Sequence, residues 1–156
     1  MPVETKTTLS EETIAKLQEL IQINIDSRDG FRSAAEKTED LSIRSFFEKM
    51  VDERTAQANE LARYVSFNGE EPDRSGSFAA GVHRTWMAIR DGLAGDDDYP
   101  VLAEAERGED RIKEAYEDAL KCECGSAMND ILMAQYAAVK AAHDRIRDLR
   151  DSRQES

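Results

Sequence analysis

Two long stretches with a helical apolar period, separated by a very short polar turn, constrain this chain more than any other feature. The first runs from an N-cap at Ser10 to about Thr38, and the second from about Leu41 to Phe67. In each stretch apolar side chains recur every three or four residues, so each helix has one face to bury. Because the turn is so short, the two helices must lie antiparallel as a hairpin.

The second half of the chain predicts another hairpin, preceded by a connecting helix. A shorter helix is predicted over 78–93, after a loop rich in turn-forming residues. A fourth helix begins after Asp98, with Pro100 tolerated in its first turn, and a fifth carries an apolar stripe over 128–149. We therefore predict an all-α fold, a ferritin-like antiparallel four-helix bundle with a shorter helical crossover between its two hairpins.

Composition limits the partners that we expect for this chain and the compartment in which we expect it. The chain has 156 residues, of which 40% are hydrophobic and 35% charged, so we expect one bundle domain over 9–150, a disordered N-terminal tail over 1–8 and a C-terminal tail over 151–156. The net charge of −12 repels phosphate backbones and anionic lipids, so neither nucleic acid nor a membrane is an expected partner. With no apolar run near the ~20 residues that span a bilayer, no leader pattern and two cysteines, the expected location is the cytoplasm.

Several charged residues fall on faces that the apolar period predicts to be buried. Counted from the turn of the first hairpin, four of them lie at similar depth along their helices, within about one helical turn of one another: Arg28, Glu53, Arg54 and Glu109. Guanidinium groups pair well with carboxylates. We therefore predict a buried ionic layer, which fixes the register between helices more than it adds stability.

A metal site is the alternative interpretation of the same region. Ferritin-like di-iron proteins take a Glu from each of two helices and a Glu-x-x-His motif from each of the other two. Here three carboxylates and one imidazole are available, from Glu53, Glu106, Glu109 and His143. However, neither Glu-x-x-His motif exists, because Ala56 follows Glu53 at the third position and Lys140 stands three residues before His143.

Three further residues are weaker candidates for a ligand or redox role. His83 lies beside the apolar stripe of the predicted third helix, where a lone histidine is usually packed and hydrogen-bonded. Cys122 and Cys124 could bind a soft metal or form a redox switch, but two thiolates do not complete a tetrahedral site. The sequence contains no Gly-rich phosphate loop and no nucleophile paired with a histidine, which argues against enzyme classes built on those devices.

Four segments carry a family resemblance that extends over most of the chain, from about Leu9 to Leu149. The segments are Gly76-Ser77, His83-Arg84-x-Trp86, Glu104-x-Glu106-Arg107-Gly108-Glu109-Asp110 and His143-Asp144-Arg145-Ile146-Arg147. In these the chain resembles a bacterial family of four-helix-bundle proteins of unknown function, grouped within the ferritin-like superfamily. The resemblance implies a fold and no particular activity.

The function that we expect follows from the absence of both Glu-x-x-His motifs. We expect a non-enzymatic helical-bundle protein, stress-associated, that acts through its surface or by self-association, with a homodimer or another protein as its partner and no cofactor. The alternative is a bundle that binds a divalent metal (Fe, Mn or Zn). If that alternative is an enzyme, it is a di-metal carboxylate oxidoreductase.

Overall fold

The computed structural model describes residues 4–74, 99–121 and 127–154. In these ranges the chain is all-helical, with α1 over Glu11–Lys37, α2 over Leu41–Phe67, α3 over Tyr99–Lys121 and α4 over Asn129–Gln154. The all-α prediction and the predicted limits of the first two helices are confirmed. The predicted helix over 78–93 and the turn at Gly125 lie outside the described residues.

Local capping fixes the ends of the first hairpin. Ser10 Oγ accepts a hydrogen bond from the Thr13 amide at the start of α1, and Asp40 Oδ1 accepts from the amides of Ser42 and Ile43 at the start of α2. At the end of α2, Gly69 has a φ of +78°, a left-handed conformation that glycine adopts without strain. These short-range signals explain why the sequence alone predicts the helix limits.

Contacts between side chains give the relative directions of the helices. Ser27 and Asn24 on α1 contact Glu109 and Tyr116 on α3 in reverse order, so these two helices are antiparallel. The same reversal relates α3 to α4, where Tyr116 contacts Gln135 and Asp110 contacts His143. Helix α2 meets α4 through Gln57 and Gln135. The four described helices thus form a closed cycle, α1–α2–α4–α3, in which α2 and α3 lie diagonally opposite each other.

A continuous apolar core lines the inside of this cycle. Large, fully buried apolar and aromatic side chains come from all four described helices: Leu17, Leu20, Ile21, Phe31, Ile43, Phe47, Met50, Leu61, Leu102, Ile112, Tyr116, Leu132 and Ile146. Phe31 and Phe47 stack at a tilt, with 5.6 Å between their ring centroids. Burial of this size supplies the main stabilisation of the bundle.

Helix α1 is buried on all sides over 20–27, where eight consecutive residues are shielded from solvent. The segment that follows α2 covers part of its outer face, because Gln22 donates a 2.9 Å hydrogen bond to Asp73. Asp26 lies one turn further along that face and is only 4% exposed. Among the described residues, its Oδ2 atom has no hydrogen-bond partner. Burial, with a smaller contribution from Asp29, raises the pKa of its carboxyl group to about 7.

The raised pKa of Asp26 predicts a pH-dependent stability. Folding raises the pKa of the Asp26 carboxyl group above its ordinary value of 3.8, so the folded state binds more protons than the unfolded state between about pH 4 and pH 7. Stability therefore falls as pH rises through this window, by up to about 1.4 kcal/mol per pH unit. We expect Asp26→Asn to be more stable than the wild type at pH 8, with the difference vanishing near pH 4.

Urea unfolding at pH 4.5, 6 and 8 checks this prediction. The matched control is Asp52→Asn, which alters an exposed carboxylate on α2 and should differ from the wild type by the same small amount at every pH. A pH-independent difference for Asp26→Asn would show that the carboxylate is not desolvated in the folded state.

Candidate functional site

The interior of the bundle contains an ion pair between Arg54 of α2 and Glu109 of α3. Both side chains are completely buried, and Arg54 Nη2 donates a short hydrogen bond to Glu109 Oε2. Because α2 and α3 are diagonal in the helix cycle, the pair crosses the centre of the bundle. Two opposite charges so far from water are tolerated when they pair closely and their remaining donors and acceptors are satisfied.

Ser27 of α1 makes hydrogen bonds to both members of the pair. Its hydroxyl accepts a hydrogen bond from Arg54 Nε at 3.2 Å and lies 3.5 Å from Glu109 Oε1, to which it donates. The guanidinium carbon of Arg54 lies 5.9 Å from the ring centroid of Phe31, a distance at which a cation is attracted to an aromatic face. Helix α1 therefore contacts the pair that α2 and α3 form.

A chain of amide and hydroxyl groups extends from the ion pair towards α4. Arg54 Nη1 donates to Gln57 Oε1 at 3.1 Å, and Gln57 and Gln135 exchange hydrogen bonds with each other's backbone carbonyls at 3.4 and 3.3 Å. Tyr116 donates to Gln135 Oε1 at 2.6 Å and accepts from Asn24 Nδ2 at 2.8 Å. All four described helices contribute to this buried polar network.

Burial dominates the electrostatics of Glu109. Loss of water raises the pKa of its carboxyl group, while Arg54 and His143 oppose the rise and the neighbouring Glu53 adds to it. Burial also raises the pKa of the Tyr116 hydroxyl, so this hydroxyl stays neutral and donates its proton to Gln135. The Tyr116 hydroxyl therefore remains a hydrogen-bond donor in the network across the physiological pH range.

Of the carboxylates and the imidazole near the pair, Glu106 and His143 interact with residues other than Arg54 and Glu109. His143 Nε2 lies 2.5 Å from Asp110 Oδ1, and its Nδ1 lies 3.5 Å from Asp144 Oδ1. Glu106 pairs with Arg150 at 2.5 Å. Glu53 is half-buried, and its Oε1 atom is shielded from solvent and has no hydrogen-bond partner in the described part of the chain.

The structure separates the residues of the predicted ionic layer. Arg54 and Glu109 are in direct contact, with Glu53 near enough to raise the pKa of Glu109. Arg28 instead pairs with Asp29 at 2.8 Å on the outer side of α1. Its predicted place beside the carboxylates is taken by its neighbour Ser27, whose short side chain leaves room for the Arg54 guanidinium.

The residues of the alternative metal site do not form a ligand set. Of Glu53, Glu106, Glu109 and His143, the first lies near Glu109, while Glu106 faces Arg150 on α4. Over the three described ranges, no group of three or more His, Cys, Asp or Glu side chains is arranged to hold a metal ion. His83, Cys122 and Cys124 lie outside those ranges.

Sequence reasoning did not identify Ser27 and Asp26 as buried polar residues. Ser27 is adjacent to Arg28, and the apolar period fits either of them, so the sequence gives no signal that separates the two. Asp26 lies on the outer face of α1, where the flanking Ile23 and Ile25 were the one indication of burial on that side. The apolar period is consistent with burial of Gln57, Tyr116 and Gln135, but it does not predict the hydrogen bonds that join them.

Comparison with known sequences gives a family for this all-helical chain. The chain belongs to the family described as a domain of unknown function, DUF2383, whose model matches residues 12–122. The match spans α1, α2 and α3 and so includes Ser27, Arg54 and Glu109, but it ends before α4. No curated protein sequence matches the chain. Across the described ranges, no helix is both long and apolar enough to cross a membrane.

The buried pair predicts a strong energetic coupling between Arg54 and Glu109. Arg54→Met or Glu109→Leu alone leaves one charge buried without a partner and should lower the free energy of unfolding by about 3–5 kcal/mol. The double variant Arg54→Met/Glu109→Leu removes both charges and should be more stable than either single variant. Urea unfolding of the four proteins gives the coupling energy.

A surface pair provides the control for this cycle. Lys16 and Glu19 lie 3.3 Å apart on α1 with partly exposed side chains, so their coupling should stay below about 1 kcal/mol. If the effects of the Arg54 and Glu109 substitutions simply add, the two groups do not interact in the folded protein.

Proposed function

We propose that this chain is a ferritin-like four-helix bundle in which a guanidinium, rather than a metal ion, neutralises the central carboxylate, and that it has a non-enzymatic role. The observation that carries the proposal is the completely buried Arg54–Glu109 pair. Two features support the ferritin-like arrangement. Helices α2 and α3 run in the same direction, and the segment after α2 turns back along α1 through hydrogen bonds from Gln18 and Gln22.

The chemistry of the donor groups favours this proposal over a metal centre. Both oxygens of Glu109 are engaged, one by Arg54 and the other by Ser27. Both ring nitrogens of His143 face carboxylates, and Glu106 faces Arg150. A divalent ion would have to displace Arg54, a fixed positive charge, before Glu109 could become its ligand.

Metal analysis tests the proposal. Protein purified without chelator or affinity tag should contain far less than one equivalent of metal, and its melting temperature should not change with Fe(II), Mn(II) or Zn(II). Glu109→Ala should lower the melting temperature equally with and without these metals, because it strands Arg54.

The alternative function predicts the opposite set of results. If Glu53, Glu106, Glu109 and His143 bind one or two divalent ions, the purified protein should contain near-stoichiometric metal, and the metal should raise the melting temperature. Glu109→Ala should then abolish metal binding while leaving the helicity largely intact. That outcome would replace our proposal with a metal-binding bundle and make oxygen chemistry worth assaying.

We further propose that the bundle acts through its surface by self-association at the end of α2. Phe67 is 61% exposed there, and its ring meets that of Tyr64 edge-on, with 5.9 Å between centroids. A paired, outward-facing aromatic group of this kind is typical of contact surfaces. Phe46, another aromatic residue of α2, is half-buried against Phe47, so Phe67 is the better candidate.

Light scattering over a range of protein concentrations checks this surface. We expect a dimer at high concentration, and Phe67→Glu should shift it to the monomer because the partner would bury a charge. Leu41→Glu is the matched control, since Leu41 is 75% exposed at the opposite end of α2, and it should leave the dimer unchanged. A wild-type protein that stays monomeric at every concentration would contradict the proposal.

A further inference from the structure

A second feature of the molecule is a groove on the side of the bundle, between α2 and α4. Its volume is about 400 Å³, and its apolar wall consists of Phe46, Met50, Ala138 and Ala142. This volume lies within the range of small-molecule sites, which combine mostly apolar walls with a few polar groups. The small alanine side chains of α4 leave the space, and none of the groove residues belongs to the proposed contact at Phe67.

The charged residues of the groove are one carboxylate and two cations. Glu53 lines it from α2 with a half-buried side chain. Lys49 and Arg145 line it from the two helices, and neither makes an ion pair with another residue in the described part of the chain. The groove is therefore lined by one half-buried carboxylate and two exposed basic side chains, none of which forms an ion pair within the described ranges.

The positions along the helices separate these charges into two poles. Lys49 and Glu53 are one turn apart on α2, or about 6 Å along the helix axis. Because Gln57 meets Gln135 and the helices are antiparallel, Arg145 lies near the level of Lys49. The cationic pole thus consists of Lys49 and Arg145, and the anionic pole is Glu53, while Met50 and Ala142 belong to the apolar wall of the groove.

We propose that this groove binds a small zwitterion whose ammonium and carboxylate groups are separated by a short aliphatic chain. The ammonium group pairs with Glu53, the carboxylate with Arg145 and Lys49, and the methylene groups contact Met50 and Ala142. A simple anion would be repelled by Glu53 and by the net charge of −12. A simple cation would be repelled by the two basic side chains. A zwitterion satisfies both poles, and this complementarity favours it over either. The inference goes beyond the proposed non-enzymatic role and does not depend on the metal content of the bundle.

The test compares three ligands that differ only in their charges. 5-Aminopentanoate carries both charges on a chain of suitable length, whereas pentanoate and pentylammonium each lack one of them. Titration is followed by NMR through the methyl signals of Ala138 and Ala142. We expect saturable binding of 5-aminopentanoate with a Kd on the order of 1 mM, and at least tenfold weaker binding of the other two.

Substitutions locate the two poles. Glu53→Gln and Arg145→Gln should each weaken 5-aminopentanoate binding at least tenfold while the far-UV circular dichroism stays unchanged. Glu39→Gln and Arg63→Gln make the same charge changes at exposed positions away from the groove, and they should bind like the wild type. Equal binding of all three ligands, no binding of 5-aminopentanoate, or unchanged binding by both groove variants would each overturn the proposal. A dimer whose formation excludes the probe would also overturn it, because the occupant would then be a second copy of the chain.

Discussion

A guanidinium and a carboxylate removed completely from water cost several kcal/mol each unless they meet each other in good geometry. In this bundle Arg54 and Glu109 meet that condition across the central space, from helices that are not adjacent in the helix cycle. Other features of the interior follow from this requirement. Ser27 contacts both groups, Gln57 Oε1 accepts a hydrogen bond from Arg54 Nη1, and the Phe31 ring lies beside the cation.

Such a pair constrains register more than apolar packing does. Apolar side chains can slide past one another by a turn and still bury similar area, whereas a one-turn slip of α3 would move Glu109 about 5.4 Å away from Arg54. The hydrogen bonds among Gln57, Gln135, Tyr116 and Asn24 extend the same constraint to all four described helices. We infer that the polar network selects one arrangement of helices from the several that the apolar stripes would permit.

Local signals made much of the fold predictable from the sequence. Ser10 and Asp40 cap helices through bonds to residues two or three positions away, and the apolar period assigned the inward face of each helix. Arg54 and Glu109 were brought together by counting residues from the turn of the first hairpin, because helical rise is nearly constant. That argument needs only the antiparallel direction of the helices.

The details of the site could not be predicted in the same way. Neighbouring residues differ by about 100° around a helix, so periodicity could not decide between Ser27 and Arg28 on α1. The partner of Glu106 is Arg150, whose long side chain reaches a carboxylate that could equally have faced His143. The burial of Asp26 depends on tertiary packing over the outer face of α1, which leaves no periodic pattern in the sequence. Contacts that helix geometry determines could therefore be predicted from the sequence. Contacts that depend on side-chain length and tertiary packing could not.

NMR of the arginine side chains tests the central claim most directly. If Arg54 is held by Glu109, Ser27 and Gln57, its guanidinium should give resolved Nη signals with slow rotation and slow hydrogen exchange. Arg32, which is 57% exposed and 3.7 Å from Asp29, should give a single averaged signal in the same spectrum. An Arg54 signal as averaged and rapidly exchanging as that of Arg32 would contradict a buried ion pair at the centre of the bundle.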